Sequence, residues 1–282
     1  MTSTDLKSHP ETESIPMKSN PLTLGLLIAA TVALFATPAA HAQATIDQAK
    51  ALNGNALPGD APGFPVTISQ RGSYKLTGNL VVPAATGGIL VTASDVSIDL
   101  NGFTITGPNI CGGYGASITC SNTGSAKGIE ASVGVTDVQV RNGAVDGFEQ
   151  AALWLNQRST VDRVKSRFNN GYAFVVRADS SVGNSLVERN GIGGVFSEGG
   201  LVFDTIASGN GSYGIVIYST ADGALVRNNV ATHNGLNGFS GQAIRITFMD
   251  NQANKNGGQN FSYSNPATSA LLPGNVCNGS SC

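Results

Sequence analysis

Short apolar runs separated by Asn, Gly and Ser fill the middle of this chain. "SLVERNGIGGVFSEGGLVFDTIASGNGSYGIVIY" (Ser185–Tyr218) is typical, and no stretch of it holds a helical period. Asn-Gly recurs at 170–171, 190–191, 210–211, 234–235 and 256–257, at intervals of 20, 20, 24 and 22 residues. Six places before each Asn stand Val164, Asn184, Asp204, Asn228 and Asp250. Four places before stand Ser166, Leu186, Ile206, Val230 and Gln252, and five places after stand Val175, Val195, Ile215 and Phe239. The unit therefore reads as short strand, polar corner, short strand, Asn-Gly corner, short strand.

A period of this length with three brief strands predicts coils whose like strands stack on one another. Asn and Gly suit the corners because both tolerate left-handed backbone angles. Asn170, Asn190, Asn210, Asn234 and Asn256, repeated at one place in successive coils, are expected to bond each other up the stack. The leucine-dense consensus of leucine-rich repeats, which share the period, is absent.

Upstream, "GGILVTASDVSIDLNGFTITG" (87–107) holds three strand-like runs, and "KGIEASVGVTDVQVRNGAVDGF" (127–148) repeats that organisation. The Gly-, Ser- and Asn-rich segment 108–126 between them is too long for a corner and is expected to leave the stack as a loop. The solenoid is thus placed at 68–257. Residues 43–67 form an N-terminal cap and lead-in, with a short helix in "TIDQAKALNG" (45–54), and 258–282, where the period is lost, form a C-terminal loop cap.

Residues 1–42 read as an export signal: Lys18, an apolar run from Leu22 to Phe35, and small residues before a cut after Ala42, with Met17 as an alternative start. The remaining 240 residues make at most about ten coils at about 22 residues each, fewer once the caps are removed, and at roughly 4.8 Å per coil a rod of some 40 Å is expected. They carry fourteen Lys and Arg against fifteen Asp and Glu, and no basic tract that would suit nucleic acid. No further run is long and apolar enough to span a bilayer once the signal is removed. A secreted or periplasmic location follows from these features. All four cysteines lie in the exported part, as the close pairs Cys111/Cys120 and Cys277/Cys282; three pairings are possible, and local clips on the loop and the C-terminus are expected.

"GSYKLTGNLVV", "GGILVTASDVSIDLNGFTITG" and "NNVATHNGLNGF" together resemble bacterial secreted right-handed parallel β-helix proteins, the pectate-lyase-like superfamily and the NosD-like repeat proteins. The resemblance implies an all-β, right-handed, single-stranded parallel β-helix, and favours a polysaccharide or cell-envelope glycan as partner. It does not fix an activity, because that fold carries lyases, hydrolases, epimerases and adhesins. The marks of polygalacturonase-like hydrolases and pectin methylesterases are missing. A lyase would need a base, often Arg or Lys, and a cation such as Ca2+ to neutralise a uronate carboxylate.

Candidate bases are Arg163, Arg177 and Arg227; Arg163 and Arg227 share the place seven before the corner Asn, three coils apart. Asp179, Glu198 and Asp204 are candidate metal ligands, and Trp154, Tyr172, Tyr213 and Tyr218 candidate sugar-stacking rings. Scattered charges on a long sheet also keep it soluble and discourage edge pairing. His233, the one histidine after the signal, has no metal-site neighbours in sequence. Three readings follow: a glycan-binding or surface-structural protein, a polysaccharide lyase acting by β-elimination, and an adhesion or assembly module.

Overall fold

Leu186, Ile206, Val230 and Gln252 are paired in that order, each on the strand of the next coil, in parallel register. The computed structural model describes residues 43–282 apart from 55, 122–123, 219–222, 243–244 and 265–268, so the segment 1–42, expected to be an export signal, lies outside the described residues. Among them the chain is a right-handed parallel β-helix. A nine-stranded sheet, from Val66–Ile68 to Phe261–Tyr263, forms one face. An eighteen-stranded sheet forms the rest of the coil, and the long strands Val138–Asp146 and Thr160–Arg167 run through the bend between its two halves.

The alternation of each strand decides what lies inside. Ile129, Leu153, Phe174, Val195, Ile215 and Phe239 stack as one fully buried column. Val140, Val161, Val182, Val202 and Val226 make another. Each such side chain contributes about 1.5–3 kcal/mol by leaving water. The apolar residues at 175–176 and 195–196, whose faces the sequence leaves open, now separate: Val176 and Val195 point in, Val175 and Phe196 out.

The corners differ from expectation in two ways. The left-handed angle does not fall on the Asn-Gly pair but on the residue before the stacked Asn: Phe168, Arg189, Gly209, His233 and Lys255, at φ 52–62°. A second corner column holds Asn142, Arg163, Asn184, Asp204, Asn228 and Asp250. The glycine of the pair is needed for closeness instead. A Cβ on Gly211 would stand 1.9 Å from the carbonyl oxygen of Gly191, and one on Gly235 would stand 2.0 Å from that of Gly211.

The interior amide column also begins one residue earlier than the spacing suggests. Asn169, not Asn170, donates from Nδ2 to Asn190 Oδ1 at 2.8 Å. Asn190, Asn210 and Asn234 continue the series to Asn256 at 2.9–3.0 Å, each Oδ1 also taking the backbone N–H of the Asn below. Asn170 sits instead beneath Gly191 and contributes only its backbone N–H, to Phe148. A second buried column, Asn229 to Asn251 to Asn275 at 3.0 Å per step, lines the other bend. These amides satisfy backbone groups that would otherwise be buried unpaired at the turns.

At the N-terminal end Ala44–Ile46 pairs with Tyr74–Leu76, and the helix Gln48–Asn53 follows, its first turn capped by Asp47 Oδ1 accepting from Lys50 N at 2.9 Å. At the C-terminal end stacking persists beyond 257, contrary to the loss of period in the sequence. Phe261–Tyr263, Ala270–Leu271 and Val276–Cys277 each pair in parallel with the coil below. Backbone ladders need no Asn-Gly to continue. An antiparallel return, Ser280–Ser281, then closes the end beside the Cys277–Cys282 disulfide.

Of the loop expected at 108–126, residues 108–121 leave the stack and lie along one corner as a strap. Its short antiparallel pair is closed by the Cys111–Cys120 disulfide. Asn109 Nδ2 donates to Phe168 O, Gly115 N to Gly209 O, and the Tyr114 hydroxyl meets Ser208 Oγ at 2.8 Å. The strap thereby ties successive coils together from outside.

Candidate functional site

The outward positions of the nine-stranded sheet carry an unusual run of rings for a solvent-facing surface. Glu130, Trp154, Val175, Phe196 and Val216 follow one another in register, and Tyr172, Gly193 and Tyr213 form the neighbouring column. Gly193 matters here: a Cβ would stand 2.6 Å from the Tyr172 ring, which therefore leans over it toward Phe196. Tyr172 meets Phe196 edge-on at 5.5 Å between centroids, and Phe196 stacks on Tyr218 at 6.1 Å and 24°.

Trp154 stands at the head of this series with a cation on each flank. Lys127 Nζ lies 5.2 Å from its ring centroid and the Arg177 guanidinium 5.8 Å. Lys127 is paired with Glu130 at 2.7 Å, and Arg177 with Glu198. Trp154, Tyr172, Val175, Arg177 and Phe196 line a cleft of ≈ 330 Å³. A smaller one of ≈ 260 Å³ begins on the far side of Lys127. Burial, followed by the neighbouring Tyr213, pushes the Tyr172 phenol up to about 12, so it is a neutral hydroxyl across the ordinary pH range. The arrangement combines apolar ring faces with charged and hydroxyl groups at the rim, which is how clefts hold ligands that have both kinds of surface.

The other candidate residues do not line this cleft. Tyr213 is on the same outer face, two strands from Tyr172. Arg163 is at a corner of the eighteen-stranded sheet, its Nε donating to Asn142 Oδ1 at 2.8 Å and its Nη2 paired with Asp162. Arg227 packs over Phe203, at 5.2 Å. The two do not share a repeat position: Arg227 is in register with Phe203, Gly183 and Asp162, and Arg163 is the next residue along. The difference follows from the column starting at Asn169. Only Arg177 of the three arginines lines the cleft.

Asp179 is an exposed corner residue, Asp204 accepts from Asn228 Nδ2, and Glu198 holds Arg177. Among the described residues no three His, Cys, Asp or Glu side chains come together as a metal site, so these carboxylates do not form one ligand set. His233 bonds Thr232 Oγ1 through Nδ1 at 2.8 Å and faces the Tyr114 ring at 5.7 Å. Sequence reasoning missed Phe196 and Lys127; the strand register pairs Val195–Phe196 with Phe174–Val175, one residue earlier than the Asn-Gly spacing suggests, and this sets Phe196 outward beside Val175.

No protein-family model matches the chain, and no curated protein does. Among solved structures, the A-module of mannuronan C-5 epimerase AlgE4 from Azotobacter vinelandii aligns over 66% of this chain and 70% of its own, at 16% identity and a TM-score of 0.42. Likeness at that level carries no inference about residues or chemistry. The protein is a right-handed parallel β-helix with a ring-lined cleft on the outer face of its nine-stranded sheet.

Proposed function

We propose that this is an exported glycan-binding protein that receives a polysaccharide or cell-envelope glycan on the outer face of the nine-stranded sheet. The observation that carries the reading is the set of rings Trp154, Tyr172 and Phe196 lining a cleft, with Tyr218 stacked on Phe196 and the pairs Lys127–Glu130 and Arg177–Glu198 on its flanks. A pyranose ring offers an apolar C–H face to an aromatic side chain and hydroxyls or carboxylates to a charged rim. Two disulfides support a secreted or periplasmic location, where thiols are oxidised.

The test is titration of neutral and uronate-containing polysaccharides into the protein, followed by calorimetry. Trp154→Ala and Phe196→Ala should each weaken binding at least about tenfold, the scale of one lost ring contact of roughly 1.4 kcal/mol. Equal affinity in both variants and the parent would sink the assignment of this face.

A β-eliminating lyase is the second reading, favoured by Arg177 at the cleft wall. Its guanidinium is engaged by Glu198, so a base role needs that pair to open. Calcium could serve there as the partner of a substrate carboxylate. Appearance of near-ultraviolet absorbance from a new conjugated double bond, with and without Ca2+, decides between the readings.

A further inference from the structure

An Asn-Gly peptide is open to a reaction that other Asn peptides resist, because glycine has no Cβ to obstruct its own backbone nitrogen. That nitrogen attacks the Asn side-chain carbonyl carbon. The N–Cγ bond forms, the Cγ–Nδ2 bond breaks, ammonia leaves, and a five-membered succinimide results. Water then opens the ring at either carbonyl, giving Asp or isoaspartate. The balance needs only water and proton transfer.

The β-helix restrains both reacting atoms in four of its five periodic Asn-Gly pairs. Gly191, Gly211, Gly235 and Gly257 each donate their backbone N–H to the Asn of the coil below, at 2.7–2.8 Å. The side chains are equally held. Asn190, for example, donates from Nδ2 to Asn210 Oδ1, Ser166 O and Glu188 O, and accepts at Oδ1 from Asn169. Attack at such a pair requires several buried hydrogen bonds to break together, which amounts to local unfolding.

Asn170-Gly171 is the exception. The amide column passes through Asn169 instead, and the half-exposed Asn170 side chain makes no hydrogen bond to any described residue. Nor does the Gly171 N–H find an acceptor among the described residues, although its carbonyl takes the N–H groups of Ile192 and Gly193. We propose that Asn170-Gly171 is a site of spontaneous deamidation and isoaspartate formation in the folded protein. Gly171 lines the ring-bearing cleft and precedes the strand Tyr172–Val176. The reaction places a new carboxylate beside that cleft, and in the isoaspartyl form a further backbone methylene.

The test is incubation of the folded protein at mildly alkaline pH, followed by peptide mass mapping and enzymatic isoaspartate methylation. Asn170 should convert at least about tenfold faster than Asn190, Asn210, Asn234 or Asn256, the factor that one or two native hydrogen bonds impose. In denaturant the five should converge. Asn170→Gln, with its fold verified by circular dichroism, should remove the early product. An intact Asn170 after the column residues have begun to convert, or equal rates in the folded state, overturns the proposal.

Discussion

The ring of Tyr114 occupies the space above Gly209, so closely that a Cβ on Gly209 would stand 2.2 Å from a ring carbon. Gly209 shares its left-handed angle with Arg189 and His233, so a side chain as such is tolerated in this corner column. What excludes one at 209 is the strap. Arg189 and His233 flank the same ring, at 5.5 and 5.7 Å.

Gly209→Ala should therefore unseat the strap and cost about 1–3 kcal/mol in chemical denaturation. Combined with Tyr114→Ala, the loss should be smaller than the sum of the single losses, because both changes break one contact. Strict additivity would show that the strap does not rest on Gly209.

Asn210 and Asn170 look alike in sequence and should behave differently. Asn210→Ala removes the oxygen that accepts from both the backbone N–H and Nδ2 of Asn190, leaving Nδ2 only Ser166 O and Glu188 O at 3.3 Å, and should cost about 2–4 kcal/mol. Asn170→Ala should lie within about 0.5 kcal/mol of the parent. Denaturant midpoints of the two variants provide the check.

Tyr172 gives a pH signature with a defined sign. Its phenol ionises near 10 when unfolded and at about 12 when folded, so the folded state holds the proton more tightly. The stability it contributes is complete below pH about 10 and is lost as pH rises through about 12. Burial raises Tyr74 as well, so spectrophotometric titration should show two tyrosines lagging behind the rest, and Tyr172→Phe should remove the step at about 12.

Replacing Cys277 and Cys282 by Ser should cost about 2 kcal/mol, the scale for so short a closed loop. The loss should appear first as faster amide exchange in Val276–Cys277 and its return strand, since those are the last pairings of the stack. Uniform acceleration along the whole solenoid would contradict this.

Much of the architecture was legible because a coil repeats its own chemistry: polar residues at corners, brief apolar strands, glycines where backbones approach. The register was harder. Two adjacent asparagines, Asn169 and Asn170, offer the same side chain to one column, and only the backbone pairing selects between them. The second amide column was hidden because Val164, Ser185 and Thr205 occupy its lower rungs, so residue identity does not repeat there although position does. The role of the glycines was misjudged for a related reason: a close approach to the coil below and a left-handed angle both select glycine, and sequence does not separate them. At the candidate site Trp154, Tyr172 and Tyr218 could be singled out by type, whereas Phe196 required the strand's facing. The strap's docking on Gly209 depends on contacts across 94 residues and left no periodic trace.

The two interior amide columns have a direction as well as a position. In every step from Asn169 to Asn256, and from Asn229 to Asn275, the nitrogen points toward the C-terminal end and the oxygen toward the N-terminal end. Their dipoles add rather than cancel, and each polarises the next. A chain whose formal charge is only -2 thus encloses a built-in electrical axis, negative toward the helix-capped end and positive toward the disulfide-closed one. The two ends of the molecule are chemically distinguishable from within.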